Sequence, residues 1–214
     1  MKMEIIKKKD RRTYLNLQYK RFRGVGKYDI PIIKKENIEL PETWIGFNEV
    51  NTYKGKCAQT GVHFFLDDYQ FERIWQRPTV YARKLSKFKV IASPDFSLYT
   101  DYPTAMQIWN TYRKQWIGAY FQHYGIHIIP TISWSDKQSF EYCFDGIQKR
   151  SAVIISDIGT TNNEEAGKIF LQGIKELEKK IQPKKILIYG NKINVKTHIP
   201  TQYIKSRKER RNYE

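Results

Sequence analysis

The sequence predicts an α/β protein on a mainly parallel sheet of about five strands with flanking helices, either an open wound sheet or an incomplete barrel. Three observations lead there. Short apolar runs recur between residues 61 and 192, each run ends in polar or acidic residues, and helix-like stretches separate them. Strand alternating with helix implies crossover connections and parallel pairing, and such sheets collect their binding sites at the carboxyl ends of the strands. The units seen are too few for a complete barrel.

Residues 1–60 read as a basic N-terminal arm and connector. The arm carries Lys7, Lys8, Lys9, Arg11 and Arg12, then Lys20, Arg21 and Arg23, with Tyr14, Tyr19, Phe22 and Tyr28 interleaved. That mixture suits phosphate contact with base stacking, and equally suits a solvated arm pinned to a core by its rings. Trp44, Ile45 and Phe47 should tuck against the main body.

Residues 61–192 read as the α/β core. The strand runs are Val62–Leu66, Phe88–Ala92, Ile126–Pro130, Ala152–Ile155 and Lys185–Tyr189. A first helix over residues 71–85 should break near Arg77-Pro78, because proline removes an amide and clashes one turn back. Asp101-Tyr102-Pro103 opens a second helix whose Ile108, Trp109, Tyr112, Trp116 and Tyr120 form a core stripe, and Gly125 stops it. A short helix is expected within residues 137–147. The last begins after Asn162-Asn163, places Glu164 and Glu165 in its first turn, buries Ile169, Phe170, Ile174, Leu177 and Ile181, and ends at Pro183. Residues 193–214 form a basic C-terminal tail.

The chain of 214 residues has a formal charge of +16. Such an excess favours nucleic acid or another anionic partner, since Lys and Arg laid along phosphates release counterions. Cys57 and Cys143 are the only cysteines and lie in no metal-binding spacing, which argues against a disulfide scaffold or structural zinc. No apolar run suits a signal peptide or membrane span, so a cytoplasmic protein is expected, with oligomeric state open.

The sharpest local signal is Asp67-Asp68 at a strand end, joined by Asp95 and Asp157 at two others. Neighbouring strand residues point to opposite faces, so one of Asp67 and Asp68 should face a cleft while the other serves the turn. Asp67, Asp95 and Asp157 could hold Mg²⁺ or Mn²⁺, whose preference is for hard oxygen ligands, and activate water toward a phosphodiester. The same residues also serve as ordinary turn and cap groups. Gly159-Thr160 before a helix, and Asn191-Lys192 after the last strand, could reach the same mouth. His63 and His127 alternate with apolar neighbours and fit packing roles better than a base.

Several pieces occur together in a known order: Phe64-Phe65-Leu66-Asp67-Asp68-Tyr69, Ser93-Pro94-Asp95-Phe96-Ser97, Gln107-Ile108-Trp109-Asn110-Thr111-Tyr112-Arg113, Ile129-Pro130-Thr131-Ile132-Ser133-Trp134 and Cys143-Phe144-Asp145-Gly146-Ile147. In these the chain resembles an uncharacterised family of phage and mobile-element proteins, domain of unknown function 4417. The resemblance implies a bacterial or phage setting and a DNA-related task, and it brings no catalytic residues. It adds Asn110, Arg113, Trp134 and Asp145 to the site candidates.

Two functions from different classes follow. One is a mobile-element protein acting on nucleic acid, as a metal-dependent phosphodiester hydrolase if it is an enzyme. The other is a non-catalytic nucleic-acid-binding accessory protein. A small-metabolite enzyme is a third reading, since strand-end mouths also suit small molecules.

Overall fold

The computed structural model describes residues 22–160, 164–190 and 195–205. Seven strands within it run parallel and in sequence order: β3 (Thr43–Gly46), β4 (Thr60–His63), β5 (Val90–Ala92), β6 (Ile128–Ile129), β7 (Ala152–Ser156), β8 (Lys185–Gly190) and β9 (Thr201–Lys205). They form a four-stranded sheet, β3-β4-β5-β6, and a three-stranded sheet, β7-β8-β9. A parallel bridge between Thr131 and Ile154 joins the two. There Ile132 N donates to Ile154 O at 2.9 Å and Ile154 N donates to Pro130 O at 3.0 Å. An antiparallel hairpin, β1 (Gly24–Val25) with β2 (Ile30–Pro31), precedes them.

Alternation along the strands divides the apolar residues cleanly. Trp44, Val90, Ala92, Ile129, Ile154, Leu187, Tyr189 and Ile204 share one inner cluster that spans both sheets. Their neighbours Ile45, Val62, Ile91 and Ile128 pack outward against α1 (Arg73–Gln76), α2 (Pro78–Leu85) and α3 (Thr104–His123). Val153, Ile155, Ile186 and Ile188 pack outward with the buried face of α4 (Glu164–Ile181). Trp44 and Ile204 come from opposite edges yet meet in the inner cluster, so the sheets curve toward each other. Among the described residues β3 and β9 form no ladder, and the barrel is not closed.

Two strands exceed the expected five. β3 lies in the segment read as a connector, and it pairs with β4 over four residues. Gly61 makes that pairing possible, because the ring of Trp44 occupies the space where a Cβ at Gly61 would stand, 2.6 Å away. β9 lies in the segment read as a tail, and pairs with β8 from Ile186↔Thr201 to Gly190↔Lys205.

The helices follow the local chemistry. α1 ends at Gln76, Arg77 leaves helical geometry, and Pro78 starts α2 at its first position, where no amide is needed. α3 begins directly after Pro103, and Gly125 with φ 76° turns the chain beyond its end. The helix expected within residues 137–147 is only a 3₁₀ turn, Gln138–Glu141, because Ser139 bonds back to Asp136 and diverts the backbone.

Of the arm, Phe22 packs edge-on to Trp116 with centroids 5.7 Å apart, and Tyr28 meets Tyr142 at 6.1 Å. These two rings anchor. Arg23 is exposed; Lys7, Lys8, Lys9, Arg11, Arg12, Lys20 and Arg21 lie outside the described residues, as does Lys192. No described helix is long and apolar enough to cross a membrane.

Candidate functional site

The loops that leave the carboxyl ends of β4, β5, β6 and β7 surround a cavity of about 920 Å³. Asp67 and Gln70 come from the first loop, Asp95 and Ser97 from the second, Ser133 to Asp136 from the third, and Ser156 with Ile158 to Thr160 from the fourth. Glu165, Ile169 and Phe170 of α4 complete it, and Phe65 and Tyr189 form part of its wall.

Helix α3 holds two of these loops in place. Its inward face is polar: Gln107, Asn110, Thr111 and Lys114 are all buried. Gln107 Oε1 accepts from Ser135 Oγ at 2.5 Å and from Tyr142 OH at 3.0 Å, fixing the loop after β6. Burial pushes the Tyr142 hydroxyl up to about 12, so it stays a donor. Asn110 Nδ2 donates to Ser97 O at 2.7 Å, fixing the loop after β5.

Lys114 reaches furthest in. Its side chain is 1% exposed, its Nζ donates to Ser133 Oγ at 2.6 Å, and Asp95 Oδ1 stands 3.7 Å away. Burial is the main influence on both charges. It raises the Asp95 carboxyl above its ordinary range, against the pull of Lys114, and it lowers the Lys114 ammonium, against the pull of Asp95. Asp95 Oδ1 is enclosed, with the Lys114 ammonium just beyond hydrogen-bond distance, and Lys114 and Ser133 both favour the ionised carboxyl against its burial. The Cys143 thiol is also driven up by burial despite Lys114 and remains protonated, and both cysteines are free.

The adjacent aspartates lie beyond the end of β4, where Asp67 precedes a 3₁₀ turn, Asp68–Gln70, and the two side chains part. Asp67 is exposed, lines the cavity and accepts from Gln70 Nε2 at 3.2 Å. Asp68 turns away and accepts from the amide and hydroxyl of Ser97, the latter at 2.8 Å. Behind it Arg113 donates to both oxygens of Glu72 at 2.7 and 2.8 Å and to Asn110 Oδ1 at 2.9 Å. The Arg113 guanidinium lies over the Phe96 ring at 3.6 Å. Asp68, Asn110 and Arg113 therefore brace the loop after β5 from outside the cavity.

Asp157 does not join this rim. It is fully buried against Gly190, where a Cβ would stand 1.7 Å from Asp157 Oδ1. Asp145 packs instead against Gly26 of the β1–β2 turn, and burial raises its carboxyl. Among the described residues no three His, Cys, Asp or Glu side chains gather into a metal-holding group. Of the carboxylates picked out by sequence, Asp67 and Asp95 share the cavity; Asp136 and Glu165 join them unannounced.

Trp134 lines the cavity and stacks on Phe170 with centroids 5.7 Å apart. Gly173 in α4 admits its indole, since a Cβ there would stand 2.0 Å from the ring. On another side Phe65 stacks on Tyr189 at 4.9 Å, with buried His63 beneath, 4.4 Å from Tyr189. Phe65 N donates to His63 Nδ1 at 3.3 Å, which fits a packing role for this histidine. His127 is at the opposite ends of the strands, 2.5 Å from Glu36.

A 37% identical relative over 171 residues, covering 79% of this chain and 74% of its own length, is the Gene 1 protein of Mycobacterium phage L5. The Gene 1 protein of Mycobacterium phage D29 is 36% identical over 169 residues, covering 76% of this chain and 60% of its own length. No solved structure matches the chain. The family described as Domain of unknown function (DUF4417) matches residues 22–206, which takes in every described strand, and the chain belongs to that family.

Proposed function

We propose that this chain is a phage protein that acts on nucleic acid, with the strand-end cavity as its working site. The observation that carries the reading is buried Lys114 beside the half-buried Asp95 and Ser133 at the edge of a large cavity with aromatic walls. Burying a lysine and a carboxylate costs several kcal/mol, roughly, unless both are well paired. Here the Asp95 oxygen faces Lys114 at 3.7 Å, a loose pairing that suits recognition better than stability. The phage relatives and the +16 charge supply the nucleic-acid half of the reading.

Support for metal-dependent hydrolysis is weaker, because Asp157 lies in the interior while Asp67 and Asp95 line the cavity. A small-molecule site is the second reading. It is favoured by the cavity volume of about 920 Å³, within the range of ligand pockets.

Binding of single- and double-stranded oligonucleotides at several salt concentrations, beside an Asp95→Asn variant, tests the proposal. Affinity should fall linearly on a log–log plot against salt, and Asp95→Asn, compared at a temperature where circular dichroism shows it folded, should weaken binding. Failure to bind any oligonucleotide at low salt would leave only the small-molecule reading.

A further inference from the structure

The cavity differs in sign from the chain around it. Its described lining holds Asp67, Asp95, Asp136 and Glu165 and no Lys, Arg or His, although the whole chain is strongly basic. Lys114 stands behind Asp95 and Ser133, with its side chain almost wholly enclosed. A phosphate entering this space would meet four carboxylates and, among the described lining residues, no cation. The remaining polar lining is mostly hydroxyl groups, from Ser97, Ser133, Ser135, Ser156 and Thr160.

The apolar part of the lining is aromatic and flat. Trp134 with Phe170, and Phe65 with Tyr189, supply stacked ring pairs from two sides. Such walls suit a planar ligand. Ionised carboxylates only accept hydrogen bonds, so the ligand that satisfies them must donate. Asp95 is the innermost of these carboxylates: it lines the cavity while its enclosed Oδ1 faces Lys114 Nζ, 3.7 Å away.

We infer that the cavity takes a nucleobase bearing an exocyclic amine, the class of cytosine, adenine and guanine, and excludes the phosphate. Cytosine N4 and adenine N6 are donors on a flat ring, whereas uracil offers a carbonyl oxygen at the equivalent edge. The base is held between the ring pairs with its amine directed at Asp95. In a nucleic-acid substrate this requires an unpaired or extruded nucleotide, with its backbone left outside to basic residues. The inference rests on the proposed strand-end working site and names what enters it.

Calorimetric titration of the full chain with cytidine, uridine, adenosine and ribose 5-phosphate tests it. Cytidine and adenosine should bind with little salt dependence, uridine at least about tenfold more weakly, and ribose 5-phosphate not at all below about 1 mM. Asp95→Asn should weaken cytidine about tenfold or more, and the exposed Glu165→Gln, which leaves the interior untouched, should weaken it by a smaller factor. Ribose 5-phosphate binding, or uridine binding as tightly as cytidine, would overturn the inference.

A single-stranded oligonucleotide and its abasic counterpart separate this inference from the reading beneath it. Equal binding of both, with no nucleoside bound, would sink the base pocket while leaving nucleic-acid action standing. Binding of neither, and of no nucleoside, would sink both.

Discussion

Lys114 sits where a helical lysine is rarely found, in the interior and facing a carboxylate whose own burial resists ionisation. Removing one partner strands the other. Lys114→Met should cost about 3–5 kcal/mol in urea unfolding, whereas the double variant Lys114→Met/Asp95→Asn should lie within about 1 kcal/mol of the parent protein. Equal, additive losses would show that the two groups do not interact. Asp145 offers a cleaner pH test. Burial raises its folded-state carboxyl above the ordinary carboxylate range, so the folded protein holds that proton longer, and this contribution to stability is full at acid pH and fades as pH climbs through the raised folded-state value. In Asp145→Asn that part of the slope should be missing from a pH series of melting temperatures. Asp67 and Asp95 were legible in the sequence because carboxylates after strand runs fall at a parallel sheet's carboxyl rim. Lys114 was not, since a lone lysine on a helix reads as solvated. The available signal was its recurrence with Gln107 and Asn110 on one face.

At the scale of elements, α3 serves two purposes. Its later half buries Trp116, Ile117, Tyr120 and Phe121 as its aromatic periodicity predicts, while its earlier half turns polar groups inward to hold loops. Trp109, expected in the core stripe, is 39% exposed for the same reason: Gln107 and Asn110 take the inward face. β3 and β9 escaped the sequence reading on local grounds. β3 is four residues long and follows Pro41, and β9 has a single fully buried residue, Ile204, in an alternation that reads as a charged tail. Their identity as strands comes from β4 and β8, which supply the edges. Deleting residues from Thr201 onward should therefore abolish cooperative thermal unfolding, because it strips the β8 edge and removes Ile204 from the inner cluster. Gly190→Ala should cost roughly 3 kcal/mol or more, since its φ of 141° and the neighbouring Asp157 both exclude a side chain. A loss below about 1 kcal/mol in chemical denaturation would show that Asp157 moves aside.

Over the whole molecule, charge and cavity act at different ranges. The net charge of +16 steers any polyanion from a distance, falling off over about 10 Å at ordinary ionic strength. In the proposed reading the cavity then selects at contact, with carboxylates and rings. Removing residues 1–21 should lower affinity for single-stranded DNA about tenfold or more at low salt and flatten its salt dependence, without changing which nucleoside binds. The order of strands and helices, and their parallel direction, could be read from apolar runs and their spacing. The convergence of the rim loops could not, because it depends on how two sheets curve toward a shared inner cluster.

Hydrogen exchange in the presence and absence of a single-stranded oligonucleotide tests the central claim most directly. Protection should appear in residues 65–70, 95–100 and 132–136, the loops around the cavity. Protection confined to surfaces away from these loops, with the rim exchanging as in the free protein, would contradict the assignment of the cavity as the working site.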